Sequence, residues 1–279
     1  MTVKPLRGKL RLTNEGALSC FFVGTGSAFS RKNFQNNLLV IKGNDHLLID
    51  CGTSCPYALS TYGADIKDIQ HVLVTHSHAD HIGGLEEMAF MGMYTAKKKP
   101  GMIITDEYKK ILWEGSLRGG CERSDEKQNG YLTFDDYFVQ QKPDLISTEP
   151  RPLYHTKVGS IDLKLFRTVH IPCASGKWQD MFYSLGVLID DRILFPADTS
   201  FDKPLLDWML SSYPIEWIFH DCQFYKSGVH TNYGQLCTLD AAVKKKMYLC
   251  HYGDNFESFA PKKDGFAGFA VRGCYYLFD

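Results

Sequence analysis

The sequence predicts an α/β chain folded as a four-layer αββα sandwich. Three observations carry that expectation. The chain falls into two strand-rich halves, each interleaved with helical stretches, and two packed sheets with helices outside accommodate both. Potential metal ligands recur at the ends of apolar strands, where strand ends gathered on one edge of a sandwich converge on one site. No linker rich in Pro, Gly or Ser separates the halves, so residues 1–279 read as one domain with an insert at about 98–153.

Taken in order, residues 9–13 and 19–23 pair as strands, and Gly24-Thr25-Gly26-Ser27 then breaks the chain sharply. Residues 37–42 and 46–50 form a hairpin with Gly43-Asn44 in its turn. Residues 55–62 make a short helix before Gly63, and 72–75 make a buried strand leading into His76. Gly83-Gly84 then opens a helix over 85–94. Residues 102–104 form a short strand, and 106–117 have helical spacing with Thr105 as N-cap. The segment Arg118-Gly119-Gly120-Cys121-Glu122-Arg123 and the polar residues up to Gly130 read either as a mobile flap over an anion or as a solvated loop.

The second half repeats this plan. Residues 161–168 form a strand ending at His170, and 183–189 and 192–195 flank an Asp190-Asp191 turn. Pro196-Ala197-Asp198-Thr199 closes a strand with a carboxylate. Residues 205–210 are helical, 217–219 a strand ending at His220-Asp221, 239–245 a helix, and 247–250 a last buried strand ending at His251.

Composition narrows the function. The net charge of −1 provides no global basic field, which argues against a dedicated binder of long nucleic acids and against a stable nucleic-acid partner. Nine cysteines, an odd number, show neither zinc-ribbon spacing nor a compact disulfide framework; Cys20, Cys222 and Cys250 lie in apolar runs as small buried hydrophobes. No secretory signal opens the chain and no apolar run is long enough to cross a bilayer, so the expected location is the cytoplasm.

The chemistry centres on Thr75-His76-Ser77-His78-Ala79-Asp80-His81, a strand-to-helix turn. A lone histidine is usually a satisfied core or surface residue. Four potential ligands in an H-x-H-x-D-H pattern at a strand end form a metal motif, with His76 and His78 facing one ion and Asp80 and His81 a second. His170, Asp198 and His251 complete a set for two divalent ions, with Asp198 as the bridge. Imidazole and carboxylate suit zinc, with manganese or iron as substitutes. His46, His71 and His155 lack this context. Two adjacent divalent ions lower the pKa of a shared water and clamp the attacking and leaving oxygens of a displacement at phosphorus. The leaving alkoxide still needs a proton, and His230, oriented by Asp221, is the expected general acid; with Asp80 they form the expected catalytic set. His220 is expected behind the ligands. The turn at Gly24 to Ser27 offers backbone N–H groups to a phosphate, a weak signal taken alone. Arg118 and Arg123 are further expected phosphate contacts.

With these residues in view, the chain resembles the metallo-β-lactamase superfamily over nearly its full length, and within it the ribonuclease Z-like branch. The resemblance rests on Gly24 to Ser27, Leu48-Ile49-Asp50-Cys51-Gly52, His76 to Gly84, His170, Ala197-Asp198-Thr199, His220-Asp221, His230-Thr231 and Leu249-Cys250-His251. Leu112 to Gly120, Asp136-Tyr137-Phe138, Phe219 to Cys222 and Ser227 to His230 are similar to the anti-Pycsar phosphodiesterases of bacteria and phages. That resemblance implies hydrolysis of 3′,5′-cyclic mononucleotides, a homodimer, and a flap reaching toward the partner's site. A ribonuclease Z-like tRNA 3′ endonuclease is the alternative, though no long Gly/Pro-rich basic arm is present. Thioesterase or lactonase chemistry and a non-catalytic ligand-sequestering protein complete the readings.

Overall fold

The computed structural model describes residues 1–124, 127 and 129–278, and the element and group counts given for it refer to these. The chain forms two compact units. One comprises residues 1–24, 37–143 and 273–279, the other residues 25–36 and 144–272. Each holds one eight-stranded sheet.

In the first unit the strand order is Thr2–Pro5, Cys274–Leu277, Ser19–Gly24, Asn37–Lys42, Asp45–Ile49, His71–Leu73, Gly101–Ile103 and Val139–Gln141. Pairing is antiparallel from Thr2–Pro5 to Asp45–Ile49 and parallel from there to Val139–Gln141. The apolar runs of the central strands are buried along nearly their whole length, as sheets covered on both faces require. The hairpin turns at Gly43-Asn44 as expected, with Gly43 at φ 63°.

The second unit repeats the scheme. Its order is Asp144–Ser147, Leu153–Val158, Ile161–Arg167, Leu185–Ile189, Ile193–Phe195, Trp217–Asp221, Met247–Cys250 and Gly268–Phe269. Again the first five strands pair antiparallel and the remainder parallel. Asp190 and Asp191, at φ 49° and 56°, are the left-handed pair of the tight turn between Ile189 and Ile193, closed by the Arg192 N–H donating to the Ile189 carbonyl at 3.0 Å. The helix Lys203–Ser212 is N-capped by Asp202, whose Oδ1 accepts from the Leu205 N–H at 3.1 Å. It buries Leu205, Leu206 and Met209 in a core with Phe166, Leu188, Leu194 and Ile218.

Several expectations change. Residues 9–13 are not a strand: Gly8 turns at φ 78°, and the Leu10 N–H donates to the Tyr62 carbonyl instead of a ladder. The helix over 85–94 is α-helical only across Leu85–Phe90 and widens into a π-helical turn, Met91–Ala96. The helix after Thr105 behaves similarly, α-helical over Asp106–Leu112 and π-helical over Trp113–Leu117. Thr105 is its N-cap, accepting from the Tyr108 N–H at 3.2 Å. Residues Arg118–Cys121, expected in a flap or loop, continue as helix. Positions 125, 126 and 128 of the expected flap lie outside the described residues. Among the described residues no helix is long and apolar enough to cross a membrane.

One backbone pattern stands out. Left-handed φ values at residues other than glycine occur at Phe34, Lys97, Asp190 and Asp191 and also at Asp50 (65°), Ile171 (50°), Ala197 (54°) and His251 (54°). The last four lie at or beside a carboxylate or imidazole near a strand end, and stored strain is characteristic of such positions.

Candidate active site

In the first unit, the strand His71–Leu73 runs parallel between Asp45–Ile49 and Gly101–Ile103, so Asp50 and Thr75 emerge side by side. The Asp50 carboxylate is fully buried and accepts from the Thr75 N–H (2.8 Å), the Thr75 hydroxyl (2.9 Å) and His81 Nδ1 (2.7 Å). That last bond fixes the His81 tautomer and turns Nε2 away, to 3.2 Å from Asp80. Burial raises the Asp50 pKa above the ordinary carboxylate range against the opposing pull of His81. Thr75 also lies 3.1 Å from His76 Nδ1, leaving His76 Nε2 at 3.0 Å from His78 Nδ1. His76 and His81 are buried with rings 4.0 Å apart, and Asp80 is buried beside them.

The glycines of the motif have a packing reason. A Cβ on Gly83 would sit 2.1 Å from the Thr53 hydroxyl, and one on Gly84 would sit 2.8 Å from Cys51 Sγ. Only glycine lets the segment after Asp50 press against the helix Ala79–Ile82 that carries Asp80 and His81. Asn37 ties the same pieces together, accepting from the Gly52 N–H at 3.2 Å and donating to the Asp80 carbonyl at 3.4 Å.

The second unit gathers His170, Asp198, Asp221, His230 and His251. Asp198, Asp221 and His251 follow three successive parallel strands, the ends at which open α/β sheets place their ligands. Asp198 is 1% exposed, with His251 Nε2 at 3.3 Å from its Oδ2. His170 is buried, its Nδ1 3.3 Å from the Val229 carbonyl. His230 Nδ1 lies 3.1 Å from Asp221 Oδ2 and 3.6 Å from Asp198 Oδ2. Asp221 also accepts from the Thr199 N–H at 3.2 Å and lies 3.1 Å from His220 Nδ1. Burial pushes its pKa up, but the bonds from His220 and His230 outweigh this and hold it below the ordinary carboxylate range. Asp221 is fully buried while the His230 side chain is 17% exposed, so one end of the pair is anchored and the other reaches solvent. Donor atoms of Asp198, Asp221 and His230 lie within 4.8 Å of one another.

The donors are imidazole nitrogens and carboxylate oxygens, nearly all buried, and the Nδ1 atoms of His76, His81, His170 and His230 each have a hydrogen-bond partner that orients the ring. That set fits a divalent cation of the zinc, manganese or iron type. All nine cysteines are free thiols. His46 and His155 have structural partners: His46 Nε2 accepts from the Gln70 N–H at 3.0 Å, and His155 pairs with Asp162 at 2.9 Å.

The expected phosphate contacts fare differently. The N–H groups of Thr25, Gly26 and Ser27 donate to the Asn33, Phe34 and Tyr252 carbonyls at 3.1, 2.8 and 3.0 Å. They are already engaged by the protein, and Ser27 lines a cleft that also includes His230. Arg118 pairs with Glu114 (2.6 Å) and Glu122 (2.7 Å), and Arg123 stacks 4.1 Å over the Tyr131 ring. Their guanidinium groups are thus engaged within their own segment. Sequence reasoning overlooked Asp50 as an orienting carboxylate. Its only local signal is a carboxylate closing an apolar strand, the same mark that identified Asp198.

Comparison with known proteins agrees with this architecture. The family model described as anti-Pycsar protein Apyc1 matches residues 18–276. The chain is 35% identical over 261 residues to an anti-Pycsar protein Apyc1 of Bacillus phage 010DV004, covering 91% of this chain and 96% of that one. It is 39% identical over 238 residues to one of Paenibacillus harenae, covering 85% and 90%. Among solved structures, the metallo-β-lactamase fold protein YhfI of Bacillus subtilis superposes with a TM-score of 0.68 at 15% identity, covering 94% of this chain and all of that one. The fold is that of the metallo-β-lactamases.

Proposed function

The chain belongs to the anti-Pycsar Apyc1 family, and from that premise we propose that it is a metal-dependent phosphodiesterase that opens 3′,5′-cyclic mononucleotides, countering cyclic-nucleotide immune signals. The observation that carries the reading is the buried Asp221 holding the part-exposed His230 at 3.1 Å, within 3.6 Å of Asp198. The departing ribose oxygen of a cyclic phosphodiester needs a proton, and such a pair can supply one.

We assign His76, His78, Asp80, His81, His170, Asp198 and His251 as ligands of two divalent ions, most simply zinc. Such ions would supply an activated water and neutralise charge on the phosphoryl oxygens. The protein's own part is the proton. Asp221 accepts from Nδ1–H of His230 and leaves Nε2–H directed at the substrate. As a water oxygen bonds to phosphorus and the bond from phosphorus to the ribose oxygen breaks, the Nε2 proton passes to that oxygen, a nucleoside monophosphate is released, and the proton given up by the water is balanced by reprotonation of His230 from solvent. The active form is proposed to be a cytoplasmic homodimer in which the two units act as one catalytic domain.

The decisive assay incubates purified protein with a panel of 3′,5′-cyclic nucleotides and with precursor tRNA, with and without chelator. Chelator-sensitive opening of the cyclic nucleotides supports the proposal. Cleavage of the tRNA 3′ end with the cyclic nucleotides untouched would replace it with the nuclease reading, and tight binding without turnover would make the protein a ligand sequesterer.

A further inference from the structure

A cleft of about 80 Å³ opens beside the acid pair, entirely within the second unit. Its lining includes His230 and His251, and also Phe29 and Tyr225. These two aromatic side chains are 89% and 61% exposed. Two exposed aromatics from distant parts of the sequence thus border the cleft that holds the proposed general acid.

Both are carried by loops that are braced from behind. The Asp254 carboxylate accepts from the Ser30 hydroxyl at 2.5 Å and the Arg31 N–H at 2.8 Å, and the Ser30 hydroxyl accepts from the Asn33 N–H at 3.2 Å. The Ser27 N–H is held by the Tyr252 carbonyl, which pins the other end of the Phe29 loop. On the other side, the Tyr225 carbonyl accepts from the side chains of Gln223 (3.1 Å) and Asn232 (2.7 Å), and Gln223 also donates to the Ser227 carbonyl at 3.0 Å. Phe224 anchors this loop by stacking on Phe259 with centroids 4.0 Å apart and planes 14° apart. Exposed rings on fixed backbone are pre-ordered for a partner, since little freedom is lost when they are covered.

We propose that this cleft is the subsite for the substrate's heterocyclic base, with Phe29 and Tyr225 as stacking surfaces. The proposal rests on the cyclic-nucleotide reading of the same site. In such a substrate the base is joined to the phosphodiester through one ribose, so a phosphorus placed at His230 carries its base into the adjoining cleft. Stacking on aromatic faces accepts any planar heterocycle. The Asn255 side chain, also in the lining, offers a donor and an acceptor to the base edge and is the residue that discriminates among bases.

The test compares each 3′,5′-cyclic nucleotide with the base-free methyl riboside 3′,5′-cyclic phosphate. Phe29→Ala and Tyr225→Ala should each lower the ratio of kcat/KM, nucleotide over base-free ester, by roughly 10-fold or more, mainly through KM. Phe29→Tyr and Tyr225→Phe should restore it, because a ring remains. Asn255→Ala should change the ranking of the bases. An unchanged ratio overturns the proposal; if it is accompanied by a change in oligomeric state, Phe29 belongs to a contact between copies instead. A second readout does not depend on turnover. In Phe29→Trp, nucleoside 5′-monophosphate should quench the new indole fluorescence, and ribose 5-phosphate should not. Equal quenching by the two overturns the base subsite, whereas selective quenching in a protein that hydrolyses neither ester would reject only the phosphodiesterase reading.

Discussion

At the scale of single residues, His230 carries the sharpest expectation. His230→Ala should lower kcat on a cyclic nucleotide by about 10² to 10⁴-fold, the ordinary contribution of a general acid, with bound metal unchanged. Metal analysis by mass spectrometry checks the second half of that statement, and loss of one equivalent would make His230 a ligand, as its closeness to Asp198 and Asp221 permits. Asp221→Asn should act through His230: an amide can donate to Nδ1, which favours the wrong tautomer and alters the alkaline limb of the pH profile, where a general acid loses its proton, rather than raising KM. The residues proposed as ligands were conspicuous in the sequence because four of them fall within six positions and the rest lie at the ends of apolar runs. Asp50 was not, because its role depends on the parallel pairing of Asp45–Ile49 with His71–Leu73, which delivers Thr75 and His81 to its carboxylate.

At the scale of elements, strand ends and loop braces make the predictions. Ala197 holds φ 54° to point Asp198 off the end of Ile193–Phe195. A left-handed conformation at a residue with a Cβ is unfavourable by roughly 1–2 kcal/mol. Ala197→Gly should therefore melt close to the unaltered protein, relief of strain offsetting the added unfolded-state freedom, whereas branched Ala197→Val should lower Tm and metal occupancy together. The Phe29 loop has a different sensitivity. Burial works to raise the pKa of Asp254, but hydrogen bonds from Ser30, Arg31 and Lys32 outweigh it and hold the group below its ordinary value. A depressed carboxylate stabilises fully above its unfolded pKa, about 4, and loses that contribution as pH falls through the lower folded value. Amide exchange in residues 30–33 should accelerate over that acid range and become pH-insensitive beyond the intrinsic rate in Asp254→Asn. The buried runs 37–42, 161–167 and 247–250 were legible because apolar residues and turn signals delimit them. The short strands Thr2–Pro5 and Asp144–Ser147 were not: they are exposed edge strands with no apolar periodicity. The π-helical turns at Met91–Ala96 and Trp113–Leu117 leave no local mark that separates them from ordinary helix.

At the scale of the whole molecule, a ligand that binds the folded chain and not the unfolded one stabilises by mass action. Removal of metal by chelator should lower Tm, and zinc or manganese added back should restore it in proportion to concentration, as scanning calorimetry would show. Light scattering tests the homodimer; a monomeric mass at assay concentration would remove that part of the proposal. The αββα expectation was legible because each half alternates strands and helices in the same order, and the structure repeats this down to the switch from antiparallel to parallel pairing in each sheet. Closure of the first sheet was not. The strand Cys274–Leu277 inserts between Thr2–Pro5 and Ser19–Gly24, so Thr2–Pro5 joins the sheet only through a strand far away in the sequence, whereas Ser19–Gly24 also pairs with its near neighbour Asn37–Lys42. Joining segments so far apart costs loop-closure entropy before their contacts offset it, so Cys274–Leu277 is expected to dock late in folding, onto a Ser19–Gly24 strand that Asn37–Lys42 has already paired.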